Sequence, residues 1–424
     1  MSDSDTILQH SNTLNRRRPN IIFVNRFYAP DISATAQILT DVAESLASQG
    51  KEVIVYTSRS SYDNKSSFAQ TDQIKGVAVR RVWSTSFGRN SAIGRSIDYL
   101  SFYLTITLTL LIALRKTDLL IAKTDPPMLS VPLSVVASLK GAMLVNWLQD
   151  VFPEVAIELG VGSSWSFFAK LLKGFRNQSL RRAEMNVVIG VRMAEAIAEM
   201  GVPRERIKII ENFVNDEQIT PSSEQAPELR REWGLADSDF IVGYSGNLGR
   251  AHDLQTILST ASELRDFHQI KFLFVGSGFL HQKLKREIEA QNLNNVLLKP
   301  YQPRERLPES LALPDLHWAA LNPLLEGYMV PSKVYGVLSA GRPLLMIGDR
   351  DGEIGRLVDE FNFGICVSPN DIQRAKEFIL SLHNDPGRKK HMGACARKVI
   401  VNRASQAIAL ENWRDLVESV IERS

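Results

Sequence analysis

The run Asn20-Ile21-Ile22-Phe23-Val24-Asn25 is short and apolar on both faces, the pattern of a strand buried in a parallel sheet. A helical pattern through Leu39, Val42, Ala43 and Leu46 follows it, Gly50 stops that helix, and residues 52–57 make the next apolar run. Strand, helix, strand in that order is a βαβ unit, because parallel neighbours need a crossover and the crossover covers the sheet. Similar runs occur at 118–122, 143–147, 185–189, 344–347 and 364–367, and others start at Phe240 and Lys271. The opening unit lacks Gly-x-Gly-x-x-Gly, which disfavours a dinucleotide oxidoreductase. A chain of 424 residues, 44% of them hydrophobic, has room for two or three such cores.

Cys366 and Cys395 form no motif, so neither a disulfide framework nor a cysteine metal site is expected, in keeping with a reducing cytoplasm. The polar start ends in Arg16-Arg17-Arg18-Pro19 and has no signal-peptide core, so residues 1–19 read as a flexible tail. Residues 1–210 carry 25 basic and 18 acidic side chains within a total net charge of only +3. A basic first half can lean on an anionic surface, while the total is too small to suggest nucleic acid. Residues 100–114 are strongly apolar but fall short of the roughly 20 needed to span a bilayer. They read as a buried or interface-seeking helix, with burial the first expectation. Residues 165–182 interleave Trp165, Phe167, Phe168, Leu171, Leu172 and Phe175 with Lys170, Lys173, Arg176, Arg181 and Arg182. That is the pattern of an interfacial basic helix, or of one packed on its own domain.

Three stretches carry chemistry. In the first, Glu326-Gly327 leads through Tyr328-Met329-Val330 to Pro331-Ser332, where a helix should begin, and Gly341 and Pro343 stop it. The free N–H groups at Ser332–Lys333 and the Lys333 ammonium make an anion site. Glu326, one short loop away, is placed to accept hydrogen bonds from hydroxyl groups, and the combination suggests a nucleotide-sugar site. Ordinary helix punctuation is the other reading. In the second, a strand from Phe240 runs into Gly246-Asn247-Leu248-Gly249, whose glycines let backbone N–H groups approach a phosphate. Arg250 is the permanent cation of that loop and is assigned to a diphosphate. In the third, Asp150 and Glu154 follow the run at 143–147, at the strand end where open α/β sheets bind ligands. A carboxylate there suits an acceptor hydroxyl. Asp150 is favoured over Glu154 for that role, with a helix N-cap as its alternative.

The segment from Glu326 to Tyr335 resembles the Glu-Gly-aromatic segment of glycosyltransferase family 4, enzymes of the GT-B fold. Its Pro-Ser-Lys-Val-Tyr form is similar to the branch that assembles bacterial capsule, O-antigen and colanic-acid-type exopolysaccharide, and Asp150-x-x-Pro153-Glu154 resembles the same branch. Where the wider family has a second glutamate for the ribose, this chain has Val334. Where it has an arginine and a lysine in the Gly-rich loop, this chain has Asn247 and His252. The resemblance implies donor contacts from Gly246, Asn247, Arg250, His252, Gly327, Tyr328, Met329, Val330 and Ser332. It also implies nucleotide entry at Gly276 and base contacts through Tyr301 or Gln302. On the acceptor side it implies Pro30, Ser33, Ala34 and Glu154, where Ser33-Ala34 replaces a glycine pair.

The fold expected from this resemblance is α/β of the GT-B type, two Rossmann-like domains facing across a cleft. Residues 20–215 would form the acceptor domain, 216–403 the nucleotide-sugar domain, and 404–424 a helix returning to the first. The expected activity is retaining, metal-independent glycosyl transfer with Glu326, Asp150 and Lys333 as catalytic residues. No cofactor is expected, since the nucleotide-diphosphate sugar, UDP- or GDP-linked, is a co-substrate. The acceptor would be a glycan or a polyprenyl-diphosphate-linked sugar, and the site of action the cytoplasm, peripheral on the inner face of the plasma membrane. A GT-B epimerase or phosphorylase, and a non-catalytic partner subunit, are the alternatives.

Overall fold

The computed structural model describes residues 19–31, 33–62, 67–88, 92–160, 166–221 and 227–423. Nearly all of the expected tail, Trp165 and residues 222–226 lie outside the described residues. The first sheet contains β1 (Ile21–Val24), β2 (Val53–Ser58), β3 (Thr71–Ile74), β4 (Val77–Val82), β5 (Leu119–Lys123), β6 (Met143–Trp147), β7 (Met185–Val188) and β8 (Ile207–Ile209), in the order β3-β4-β2-β1-β5-β6-β7-β8. The second contains β9 (Phe240–Ser245), β10 (Ile270–Val275), β11 (Val296–Lys299), β12 (Leu316–Ala320), β13 (Leu344–Ile347) and β14 (Gly364–Val367), in the order β11-β10-β9-β12-β13-β14. The second sheet is parallel throughout. By compactness the chain divides into residues 1–147, 178–186 and 413–424 on one hand, and 148–177 and 187–412 on the other.

In the first unit β1 lies between β2 and β5, with Ile21 beside both Val53 and Leu119, and all four of its residues are buried. The end of the chain belongs to this unit. Trp413, from the helix Gln406–Glu422, packs its ring 4.3 Å from that of Trp147 and 6.4 Å from that of Phe23. Residues 413–424 are therefore held in this unit by large aromatic surfaces. One strand pair has no counterpart among the apolar runs: β3 and β4 form an antiparallel hairpin, turned by Lys75 and Gly76 with positive φ.

The apolar segment expected at 100–114 is a longer helix, Ala92–Ala113, and it is not simply buried. Phe102, Ile106, Leu110 and, just past its end, Leu114 are in the core with the sheet. Ile93, Ile97, Leu100, Leu104, Leu108 and Ile112 are exposed, Ile112 by 86%. Two residues of helix turn the side chain by about 200°, so the 102/106/110 and 100/104/108 sets face opposite ways. Apolar residues on both faces gave no period from which to tell the inner face from the outer. Thr105 and Thr109 donate to the carbonyls of Ser101 and Thr105, which lets a polar residue sit in the helix without an unmet bond.

In the second unit the strand order reverses between β9 and β12. In open parallel sheets that reversal leaves a crevice at the carboxyl ends of the two strands. The loops leaving it are 246–253 after β9 and 321–332 after β12, the two stretches richest in chemistry. The core beneath them is aromatic: Tyr244, Phe274 and Trp318 pack ring to ring, Tyr244 and Trp318 at 4.7 Å.

Replacing Trp413 by alanine removes a buried ring that closes the first unit. The expected loss is about 3–5 kcal/mol of unfolding free energy in a urea titration. A loss below about 1 kcal/mol would mean that the terminal helix contributes little to the fold.

Candidate active site

Lys333 is the first residue of a seven-residue helix, Lys333–Ser339, so the anion attraction comes mainly from its own ammonium and less from a helix dipole. Its aliphatic chain lies against Gly246: a Cβ built there would stand 2.3 Å from Lys333 Cε. Gly246 also has φ +134, a region other residues rarely adopt, so both backbone and space require glycine. The ammonium donates to the Asn247 carbonyl at 3.0 Å and lies 3.2 Å from His252 Nε2. Its pKa is lowered to about 8 by burial.

His252 stands where the family has a lysine, and here it is a neutral spacer. Burial, with Lys333 adding to it, pulls its pKa down to about 4. Its Nδ1 is 3.1 Å from the Gly249 carbonyl, which can only accept, so the proton sits on Nδ1 and Nε2 is left to accept from Lys333. Tyr244 completes the arrangement, its hydroxyl 2.8 Å from the Asn247 carbonyl and 3.1 Å from His252 Nε2. The Gly-rich turn is thus folded around Lys333, although no charged partner from that turn holds the ammonium.

A second glycine turn, after β10, backs the first. A Cβ on Gly276 would stand 2.3 Å from the Gly246 carbonyl, and one on Gly278 2.5 Å from the Asn247 side chain. Leu248 N–H donates to the Ser277 carbonyl at 2.8 Å and Leu280 N–H to the Leu248 carbonyl at 3.0 Å. Tyr301 lies over Gly276 and is half-exposed, while Gln302 turns its amide to the Pro300 carbonyl. Arg250, assigned to a diphosphate from the sequence, is exposed and stacks its guanidinium over Phe279 at 4.0 Å.

Glu326 is partly buried and caps a neighbouring helix. Its Oε2 accepts from the Glu353 N–H at 3.1 Å, at the start of the helix Glu353–Phe361, and Gly352 leaves room for Oε1. Burial raises its pKa to about 7, with that N–H bond pulling the other way. Glu353 in turn accepts from the Arg192 N–H at 2.8 Å, lies against Gly190 and caps the helix Val191–Glu199. Gly327 has φ +78 and sits against Arg192 and Ala196 of that helix. Val334, the position of the family's second glutamate, is a buried core residue.

Asp150 is brought to the same segment. It forms a bridge with Met329, and Val151 N–H donates to the Tyr328 carbonyl at 2.8 Å. The structure therefore places Asp150 beside Glu326-Gly327-Tyr328-Met329-Val330. Glu154 does not join it: its two oxygens are held by Arg176 at 2.7 and 2.9 Å, with Lys173 at 3.5 Å. It closes a buried ion pair. Ser332 is exposed and makes no side-chain cap bond. In the first unit, Ser33 caps the helix Ala34–Ser48 by accepting from the Ala36 N–H. Ala34 is exposed at its start, and Pro30 precedes Asp31, which accepts from Ser33 and Tyr62 N–H groups. Tyr244, Phe279 and Glu353 were not singled out from sequence. Glu353 had a discoverable signal, an acidic residue opening a helix after glycine. Among the described residues, no group of three His, Cys, Asp or Glu side chains is arranged to hold a metal ion.

Comparison with known proteins gives the fold and the family. Among solved structures, Anabaena HepE in complex with UDP superposes with a TM-score of 0.71 over 94% of this chain and all of its own, at 15% identity. The fold is GT-B. The model described as "Glycosyltransferase Family 4" matches residues 35–218, and that described as "Glycosyl transferases group 1" matches residues 225–399. The chain belongs to the family 4, group 1 glycosyltransferases. The Escherichia coli K12 protein named "Putative colanic acid biosynthesis glycosyl transferase WcaI" is 24% identical over 85% of this chain and 93% of its own. The Pseudomonas aeruginosa protein named "Probable glycosyltransferase WbjE" is 26% identical over 73% of this chain and 76% of its own.

A carboxyl whose pKa is raised on folding stabilises the fold fully below its ordinary value of 4.5, and that contribution is lost as pH rises through about 7. Glu326→Gln is expected to flatten the fall in stability between those values. It should also exceed wild type by on the order of 1–3 kcal/mol at pH 8 in urea unfolding. Identical pH profiles for the two proteins would show that Glu326 titrates normally.

Proposed function

We propose that this chain is a retaining, metal-independent glycosyltransferase that uses a UDP- or GDP-sugar. Its acceptor is a glycan or a polyprenyl-diphosphate-linked sugar in cell-surface polysaccharide synthesis. The observation that carries this is Lys333, seated on Gly246 with its ammonium held by a carbonyl and a neutral imidazole instead of a carboxylate. A cation with neutral partners, seated on a glycine turn at the strand-order reversal, suits a diphosphate. HepE, with the same fold, was solved with UDP, which supports that donor class here. The colanic-acid name of the Escherichia coli relative supports the polysaccharide assignment.

In the reaction, the bond between the anomeric carbon and the diphosphate oxygen breaks, and the acceptor hydroxyl bonds to that carbon on the face the diphosphate leaves. Negative charge grows on the leaving oxygens, and the Lys333 ammonium stabilises it, as a preorganised donor does best. This supplies the charge that a metal supplies in other transferases. Glu326, with a pKa near 7, both donates to and accepts from sugar hydroxyls at neutral pH. Asp150, paired to the Met329 backbone, takes the acceptor proton. Tyr301 flanks the base. The helix Ser166–Arg182 exposes Phe167 by 81%, with Phe168, Leu171 and Phe175 beside it and Lys170 nearby in sequence. That supports a peripheral position on an anionic inner-leaflet surface.

Incubation with a panel of UDP- and GDP-sugars and polyprenyl-diphosphate-linked acceptors, followed by proton NMR, tests this. The expected result is release of one nucleoside diphosphate that depends on acceptor, persists in EDTA, and gives a product with the donor's anomeric configuration. Inverted product, or loss of activity in EDTA, would contradict the mechanism. Donor turnover without acceptor would favour an epimerase, and dependence on inorganic phosphate a phosphorylase.

A further inference from the structure

The first unit contains a cavity of about 650 Å³ that the transfer chemistry does not use. It lies between the hairpin strand β4 and the helix Ala92–Ala113, and its lining includes Arg59, Arg80, Trp83, Thr105, Leu108 and Ile112. Three arginines line it, Arg81 being the third, and among the described residues no carboxylate does. Arg81 is engaged by Asp72 at 3.3 Å and by the Ala29 carbonyl at 2.9 Å. Arg59 and Arg80 are exposed, and Arg59 spends one N–H on the Phe68 carbonyl at 3.3 Å. The lining therefore combines a cationic part, the arginines, with an apolar part, Trp83, Leu108 and Ile112.

That apolar part is continuous with a larger surface. Leu108 and Ile112 belong to the outer stripe of the helix, which runs back through Leu104, Leu100, Ile97 and Ile93, and all of these are exposed. Val135 and Leu139 of the helix Ser130–Lys140 are exposed as well, and that helix shares a core cluster with the first. Exposed Arg95, Arg115 and Lys116 mark the two ends of the long helix. The helix has the length and composition to cross a bilayer. It is nevertheless fixed to the sheet by Phe102, Ile106 and Leu110, so leaving the protein would open the core. A helix tied down along one stripe and apolar along the other lies in the plane of an interface.

We infer that this cavity seats the phosphate-bearing headgroup of an anionic membrane lipid, with Arg59 and Arg80 on the phosphate and the Ile93-to-Ile112 stripe in the acyl layer. Arginine matches phosphate geometry with paired N–H groups, and an adjoining apolar face is what a lipid has and a soluble phosphate lacks. The buried Asp98 supports the rim of this surface: it accepts from Thr85, Phe87 N–H and Gly88 N–H and pairs with Arg26, fixing the loop that carries Trp83 and Phe87. The site is built from residues of the first unit alone, and it does not depend on the transferase activity proposed above.

Flotation of the full chain with phosphatidylcholine vesicles, with or without phosphatidylglycerol, tests the inference. Wild type is expected to float with the anionic vesicles and at least about tenfold less with neutral ones. Excess inorganic phosphate should leave it bound. Arg59→Gln/Arg80→Gln should lose about tenfold of binding to anionic vesicles only, and Leu100→Asp/Leu104→Asp should lose binding to both. All four side chains are exposed, so thermal unfolding and nucleoside diphosphate binding should match wild type in both variants. Flotation of the arginine variant equal to wild type would overturn the headgroup site. So would release by phosphate, or a wild-type dimer in sedimentation that Leu100→Asp/Leu104→Asp converts to monomer without any vesicle binding.

Discussion

The contact on which the candidate site depends is that between Lys333 and Gly246. A lysine chain crosses bare backbone there, and the Gly246 carbonyl is itself pressed against Gly276. Neither glycine has room for a methyl group, so the two turns and the lysine hold a single arrangement. The ammonium is then presented with neutral partners, Asn247 and His252. Its pKa of about 8 keeps it mostly charged at neutral pH while leaving the charge unspent. Had an aspartate held it, a diphosphate would have to displace that partner at a cost of a few kcal/mol.

The acidic side of the site follows a comparable logic with helix ends in place of glycine turns. Glu326 caps the helix that starts at Glu353, and Glu353 caps the one that starts at Val191. Each carboxylate is fixed by an N–H group that the helix cannot otherwise satisfy. The Gly327 turn and the backbone pairing of Asp150 with Met329 complete a rigid frame around the candidate sugar position. Rigidity matters because stabilisation of developing charge works through groups already in place.

Much of this was legible in the sequence, for physical reasons. Buried parallel strands such as β1 and β13 are short apolar runs. The glycine turns and the segment from Glu326 to Lys333 are marked by local chemistry: backbone freedom, a helix start and a cation. What escaped notice depends on distant neighbours. β12 reads Leu-His-Trp-Ala-Ala, without the β-branched residues of a typical strand, and holds its place by packing Trp318 on Tyr244. Asp150 was favoured over Glu154 from sequence, but that Arg176, on a later helix, holds Glu154 shows only in the folded chain. His252 stands at the family's lysine position, and that burial beside Lys333 keeps it neutral depends on the fold. The helix Ala92–Ala113 was apolar on both faces, so its exposed face could not be read from period alone.

Calorimetric titration tests most directly whether Lys333 receives a nucleoside diphosphate. UDP, GDP, ADP and TDP, with NAD as control, would be titrated into wild type and Lys333→Ala at pH 7. One diphosphate is expected to bind wild type and to lose about 1.5–3 kcal/mol in the variant, the range for a hydrogen bond to a charged group. Equal affinity in both proteins, or binding of NAD and none of the diphosphates, would contradict the account.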